Sequence, residues 1–383
     1  MRKISDTIAR LAALRARSAG GRTGAGPGVR NRLRQLPETG SNPGALSGSY
    51  YVPDKLPDGS PLVVVLHGCT QTAAGYDHHS GWSRLADEAG FALLYPEQRR
   101  ANNPNLCFNW FIPDDTQRNS GEVGSIRQMI ETVVLAHRLD RARVFVTGLS
   151  AGGAMAASML ATYPDVFAGG AVIAGLAHGT AKTVPEAFDR MRGHGLPSER
   201  QLQRTLREAS DHDGPWPRLS IWHGTADQTV AEANAQALVA QWRGVHRLAE
   251  KPSTTTVSGA LTRHVWLKPS GEPAIELNMI AGMGHGTPVA AGLGTAGPFM
   301  LDVGISSTRE IAAFWGLADM KGERVSPASR PQAARTPPPR SGLAGDKKAP
   351  QQTDAHEPRP EVSEPSGVQK VIEDALRSAG LMR

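Results

Sequence analysis

Apolar residues are unevenly spread along the 383-residue chain. Within residues 49–317, short apolar runs alternate with stretches of helical periodicity, the signature of a mostly parallel sheet covered by helices. The run at 62–66, LVVVL, is continuous and β-branched, so it predicts a strand buried on both faces. Residues 82–89 predict a helix and 91–95 the next strand. Residues 123–137 predict a strong helix with Ile126, Met129, Ile130, Val133 and Val134 on its inner face. A strand at 144–147 runs into a helix of small residues at 151–162. Further strands are predicted at 171–173, 219–222 and 275–280, and a closing helix at 308–315. The interval 178–217 has no strand pattern and reads as a helical insertion, placed where a lid would sit.

The flanks follow other patterns. Residues 1–17 place Ile4, Ile8, Leu11 and Leu14 on one helical face, and 20–28 read as a flexible linker. Residues 318–366 are rich in Pro, Ala, Gln and charge; they bury too little to order themselves and are predicted to be disordered. A last amphipathic pattern covers 368–379. The domain reading is therefore a basic arm at 1–44, an α/β body at 45–317, a Pro-rich linker at 318–366 and a C-terminal amphipathic helix at 367–383. The terminal helices are expected to meet a polymer granule, a membrane surface or a partner, or to dock on their own domain.

Charge sharpens this division. The chain carries a net +6, yet residues 1–48 alone carry +7 and residues 49–317 carry −3. The basic character belongs to the arm. An acidic body, in a chain with 5% aromatics overall, offers neither the basic stripe nor the stacking platform of a nucleic-acid binder. No apolar run approaches a transmembrane length. The longest apolar run near the N-terminus, Leu11–Leu14, is too short for a signal peptide, which favours a cytoplasmic protein. Two cysteines, Cys69 and Cys107, exclude a disulfide-built scaffold.

The candidate chemistry centres on Gly148-Leu149-Ser150-Ala151-Gly152-Gly153. GxSxG alone is weak in a chain with 42 glycines. Its context is specific: a buried strand enters it and a small-residue helix leaves it. That arrangement is a nucleophile elbow, which lifts a serine hydroxyl above the sheet edge. Serine needs a base to take its proton. Among the later histidines, His285 stands between glycines in Gly282-Met283-Gly284-His285-Gly286, on a loop after a predicted strand. His223 precedes every good acid candidate and is the weaker base. His178, His194, His212, His246 and His264 lie on polar or insertion segments and read as surface residues. Asp227 follows the 219–222 strand, where it would hold the imidazole tautomer. Ala151 and Cys69, the latter in the loop after LVVVL, are the expected oxyanion amides. Such donors are worth roughly 3–4 kcal/mol each. Trp110 and Trp222 neighbour these motifs and are candidates for a substrate groove, with core packing as the alternative.

Taken together, His67-Gly-Cys-Thr-Gln71, Gly148-Leu-Ser-Ala-Gly-Gly153, His223-Gly-Thr-Ala-Asp227 and Gly284-His285-Gly-Thr-Pro288 resemble the PHB depolymerase family of esterases. The resemblance spans about residues 45–317. It implies an α/β-hydrolase fold, the triad Ser150, Asp227 and His285, an oxyanion amide at Cys69, and a disulfide between Cys69 and Cys107. That disulfide, like the family, points to an extracellular protein, against the missing signal peptide. The implied activity is hydrolysis of a carboxylic ester through an acyl-serine, without cofactor or metal. The expected substrate is a hydroxyalkanoate oligomer or polymer, or an aryl or acetyl ester. The alternatives are a non-catalytic hydrolase-fold protein on polymer granules and an acyltransferase using the same residues.

Overall fold

The computed structural model describes residues 31–38 and 40–318. The predictions for residues 1–30 and 319–383 lie outside the described residues. The first half of the fold runs β1 (Arg34–Gln35), β2 (Ser47–Tyr51), β3 (Leu62–Leu66), α1 (Ala73–Ser80), α2 (Trp82–Ala89) and β4 (Ala92–Glu97), then α3 (Pro113–Thr116) and α4 (Gly121–Ala136). The centre is β5 (Val144–Leu149), α5 (Ala151–Thr162) and β6 (Gly169–Ile173). Two helices follow, α6 (Val184–Met191) and α7 (Glu199–Glu208), before β7 (Arg218–Gly224) and α8 (Ala233–His246). The chain closes with β8 (Thr254–Ser258), β9 (Leu261–Leu267), β10 (Pro273–Ile280), β11 (Thr287–Val289), β12 (Met300–Asp302) and α9 (Ser307–Phe314).

Ten strands form one sheet in the order β1-β2-β4-β3-β5-β6-β7-β10-β9-β8. Pairing from β4 through β10 is parallel, and both flanks are antiparallel. LVVVL is buried at every position, as a strand with helices on both faces requires. Side-chain alternation splits its residues between two cores. Val64 and Leu66 join α4, α5 and α8 on one face. Val63 and Val65 join Trp82 of α2 and Trp315 beyond α9 on the other.

Two features depart from the sequence reading. Arg34 and Gln35, assigned to the arm, pair with β2, and Leu36 is buried in the core. The hairpin β8–β9 was not foreseen, because β8 is a fully exposed TTTVS segment with no apolar alternation. The interval before β7 does hold two helices and no strand. Thr183 caps α6 with Pro185 in the first turn, and Ser198 with Gln201 forms a capping box on α7. Among the described residues, no helix is long and apolar enough to cross a membrane.

Candidate active site

β5 ends in the tight turn that carries Ser150. Ser150 adopts φ 56°, ψ −118°, a conformation L residues rarely hold. Its N–H donates to the Ile173 carbonyl at 2.9 Å, which ties the turn to the end of β6. The flanking glycines are steric necessities. A Cβ on Gly148 would lie 2.2 Å from the Gly152 carbonyl oxygen, and one on Gly152 would lie 2.4 Å from the His67 carbonyl oxygen. Every residue of α5 is buried, and its alanines and glycines allow that close approach to the sheet.

Asp227 follows β7 and His285 follows β10. These strands are parallel neighbours, so both loops emerge at the same sheet edge as the β5 turn. The loops are also bonded to each other: the Ala226 N–H donates to the Met283 carbonyl at 3.0 Å, and the Gly282 N–H to Thr225 Oγ1 at 2.9 Å. His285 Nδ1 lies 2.7 Å from Asp227 Oδ2. An ionised carboxylate only accepts, so the proton of this bond sits on Nδ1, and Nε2 is left to take a proton. Asp227 Oδ1 accepts from the N–H groups of Thr229 and Val230, both at 2.9 Å. Burial raises the Asp227 pKa, but the hydrogen bond and charge of His285 with the Val230 amide outweigh it, and the net shift is downward. The aspartate therefore stays ionised where its charge can steady an imidazolium.

His223 is fully buried behind this pair. Its Nε2 contacts the Val230 carbonyl at 2.8 Å and lies 3.6 Å from Asp227 Oδ2. Burial lowers its pKa, only partly offset by Asp227. It braces the acid loop. Two other histidines read as surface residues are not: His178 is buried with Nδ1 3.0 Å from Ser158 Oγ, and His246 is half-buried against the Pro217 carbonyl.

Cys69 and Ala151 line one cavity with Ser150. Ala151 opens α5, where the first N–H groups have no helical partner. The Cys69 N–H makes no internal hydrogen bond among the described residues. A disulfide joins Cys69 to Cys107. A buried polar relay sits behind this loop and escaped the sequence reading. Gln71 Oε1 accepts from the Gly68 N–H at 2.8 Å, and the Gln98 N–H meets His67 Nε2 at 3.2 Å. Gln98 Nε2 donates to the Cys107 carbonyl and to Glu122. Glu122 also accepts from the Asn109 N–H at 2.9 Å. Burial lowers His67 to about 4 and raises Glu122 to about 8, the latter helped by Asp115. Gln71 belonged to a recognised motif; Gln98 and Glu122 carried no local signal.

The cavity has a volume of about 480 Å³. Trp110 lines it, as one of the two groove candidates. Trp222 does not, and that reading is corrected: it is fully buried in the core, with Nε1 2.8 Å from Ser220 Oγ. Alternation along β7 turns it to the face opposite Ile221, against the α2 and α9 layer.

Comparison with known proteins agrees with this architecture. The family described as esterase PHB depolymerase matches residues 46–259. Poly(3-hydroxyalkanoate) depolymerase C of Paucimonas lemoignei is 44% identical over 292 residues, 74% of this chain and 70% of that protein. The acetylxylan esterase of Coprinopsis cinerea is 32% identical, over 67% of this chain and 70% of that protein. The solved acetyl xylan esterase from Aspergillus awamori superposes with a TM-score of 0.65 at 24% identity, covering 75% of this chain and 99% of that one. The fold is that of the α/β-hydrolases. The chain is a carboxylic ester hydrolase and belongs to the esterase PHB depolymerase family.

Proposed function

We propose that Ser150 is the nucleophile of this ester hydrolase, with His285 as its base and Asp227 as the group that orients the base. Ser150 Oγ attacks the ester carbonyl while His285 Nε2 takes its proton. The Cys69 and Ala151 amides hold the oxyanion of the tetrahedral intermediate. Collapse breaks the C–O bond, and the imidazolium returns the proton to the leaving alkoxide. Water then attacks the acyl-serine with His285 again as base, releasing the carboxylic acid. The observation that carries this reading is the 2.7 Å contact of His285 Nδ1 with a buried Asp227, on loops sharing a sheet edge with the Ser150 turn.

For the substrate, we propose a hydroxyalkanoate oligomer or a polymer end. The support is the 44% identity to a poly(3-hydroxyalkanoate) depolymerase. Acetylated xylan and feruloyl esters, after the names of more distant relatives, are the competing substrates. The catalytic unit in this reading is the 45–317 segment together with β1, and the terminal segments take no part in the chemistry. The test is a panel of 3-hydroxybutyrate oligomers, methyl ferulate and acetylated xylan, each assayed with wild type and Ser150→Ala. Oligomers should be hydrolysed fastest, and Ser150→Ala should lose at least about 10³-fold. Hydrolysis surviving in Ser150→Ala rejects the nucleophile; faster turnover of ferulate or xylan rejects the substrate.

A further inference from the structure

The cavity beside Ser150 is one-sided. It is lined by Ser150, Cys69 and Ala151, but by neither His285 nor Asp227. Ester cleavage gives that asymmetry a meaning. The leaving oxygen must take its proton from His285, so the alcohol portion lies on the His285 side. The acyl portion extends the other way, past the oxyanion amides. We infer that this cavity is the acyl-side subsite, and that the Asn105 carboxamide reads a second carbonyl within the acyl chain. The inference rests on the roles proposed above for Ser150 and His285.

The cavity walls differ in chemistry. One is apolar: Val184, Ala187, Phe188 and Met191 project from α6 at the spacing of a single helical face, and Trp110 belongs to the same apolar cluster as Ala187 and Met191. The other is an asparagine-rich loop closed by the disulfide. Three of its asparagines are already engaged. Asn102 Nδ2 donates to the Gly44 carbonyl and to Gln98 Oε1, both at 2.9 Å. Asn103 Nδ2 donates to Asn109 Oδ1 at 3.1 Å, and Asn109 Nδ2 to Asp115 Oδ2 at 3.1 Å. The Asn105 carboxamide makes no bond to any described residue, while its backbone is pinned. Its N–H donates to Asn103 Oδ1 at 3.0 Å, and its carbonyl accepts from the Thr70 N–H at 2.7 Å. A fixed backbone thus presents an uncommitted amide to the cavity.

Size and polarity select the acyl group. A volume of about 480 Å³ lies within the range of small-molecule sites and far exceeds an acetyl group, which would leave the α6 wall untouched. An unbranched fatty acyl chain would cover that wall but offer Asn105 no acceptor. A chain carrying small apolar branches and a further ester carbonyl satisfies both walls. Oligo(3-hydroxyacyl) chains have that chemistry.

The test holds the leaving group constant. p-Nitrophenyl acetate, 3-methylhexanoate and 3-acetoxybutanoate are compared by kcat/KM; the last two share main-chain length and the 3-methyl branch and differ by the second ester group. Wild type should prefer both long esters to acetate by at least tenfold, and acetoxybutanoate to methylhexanoate. Asn105→Ala should cut the acetoxybutanoate-to-methylhexanoate ratio by roughly two- to tenfold, the size of one neutral hydrogen bond. Ala187→Leu, which narrows the apolar wall, should lower the methylhexanoate-to-acetate ratio. A wild-type enzyme that prefers acetate overturns the acyl-side assignment, as does an unchanged ratio in Ala187→Leu. An unchanged ratio in Asn105→Ala overturns the carbonyl contact. Hydrolysis that survives Ser150→Ala marks failure of the underlying mechanism instead.

Discussion

Asp227, His285 and Ser150 show how much a short stretch of sequence can disclose. Glycines that the turn cannot replace flank the serine, and glycines also flank the histidine, so both leave a local mark. Trp222 left an equally local mark that misled: adjacency to His223 in sequence becomes opposition across the sheet. Glu122 left none. It is an ordinary glutamate at the start of a helix until folding brings Asn109, Gln98 and Asp115 around it. Burial raises its pKa to about 8, above the usual 4.5. The folded protein therefore holds a proton between those values that the unfolded chain has lost. Stability contributed by Glu122 is complete below about pH 4.5 and is lost as pH rises through 8. Glu122→Gln keeps the shape and one acceptor but cannot ionise. Thermal melts from pH 5 to 9 should show wild type losing stability relative to Glu122→Gln, by an amount on the order of a few kcal/mol. A pH-independent difference between the two proteins contradicts a buried, proton-bearing Glu122.

At the scale of elements, legibility followed burial. β3, β5, α4 and α5 were read from sequence because each buries a face or an entire strand, which forces a pattern on the residues. β8 was invisible because an exposed edge strand imposes no such pattern. β1 was missed because a two-residue strand is defined by its partner rather than by itself. The loop joining Cys69 to Cys107 matters most at this scale. It carries the Cys69 amide at one end and the asparagine wall at the other, closed over a sequence separation of 38. Opening it releases loop-closure entropy to the unfolded chain, worth about 4 kcal/mol in the chain-entropy account. Reduction, or the Cys69→Ser/Cys107→Ser pair, should lower the melting temperature and kcat together, because the Cys69 amide, the proposed oxyanion donor, moves with the loop. A lowered melting temperature with unchanged kcat would remove Cys69 from the oxyanion site.

The whole molecule places these parts by one topological fact. The strands from β4 to β10 run parallel, so the turns after β5, β7 and β10 meet at one edge. Three residues far apart in sequence are thereby brought to that edge, where the Asp227 and His285 loops also bond to each other. This was legible as a fold class, since alternating strand and helix patterns prescribe it, whereas the cavity beside the site was not. Its walls come from α6 and from a loop between β4 and α3 that have no sequence relation to each other. Along the sequence, residues 49–317 carry −3 and residues 1–48 carry +7. Yet Arg32 already serves the body, bonding Tyr51 and Asp87.

The nucleophile itself is tested most directly by covalent capture. The full chain is incubated with a small fluorophosphonate, and the site and rate of labelling are read by peptide mass spectrometry. A single adduct on Ser150 is expected. Its rate should fall by at least about 10³-fold in His285→Ala, since the base that activates the hydroxyl is gone. An adduct on another residue, or labelling of Ser150 at full rate without His285, contradicts the account.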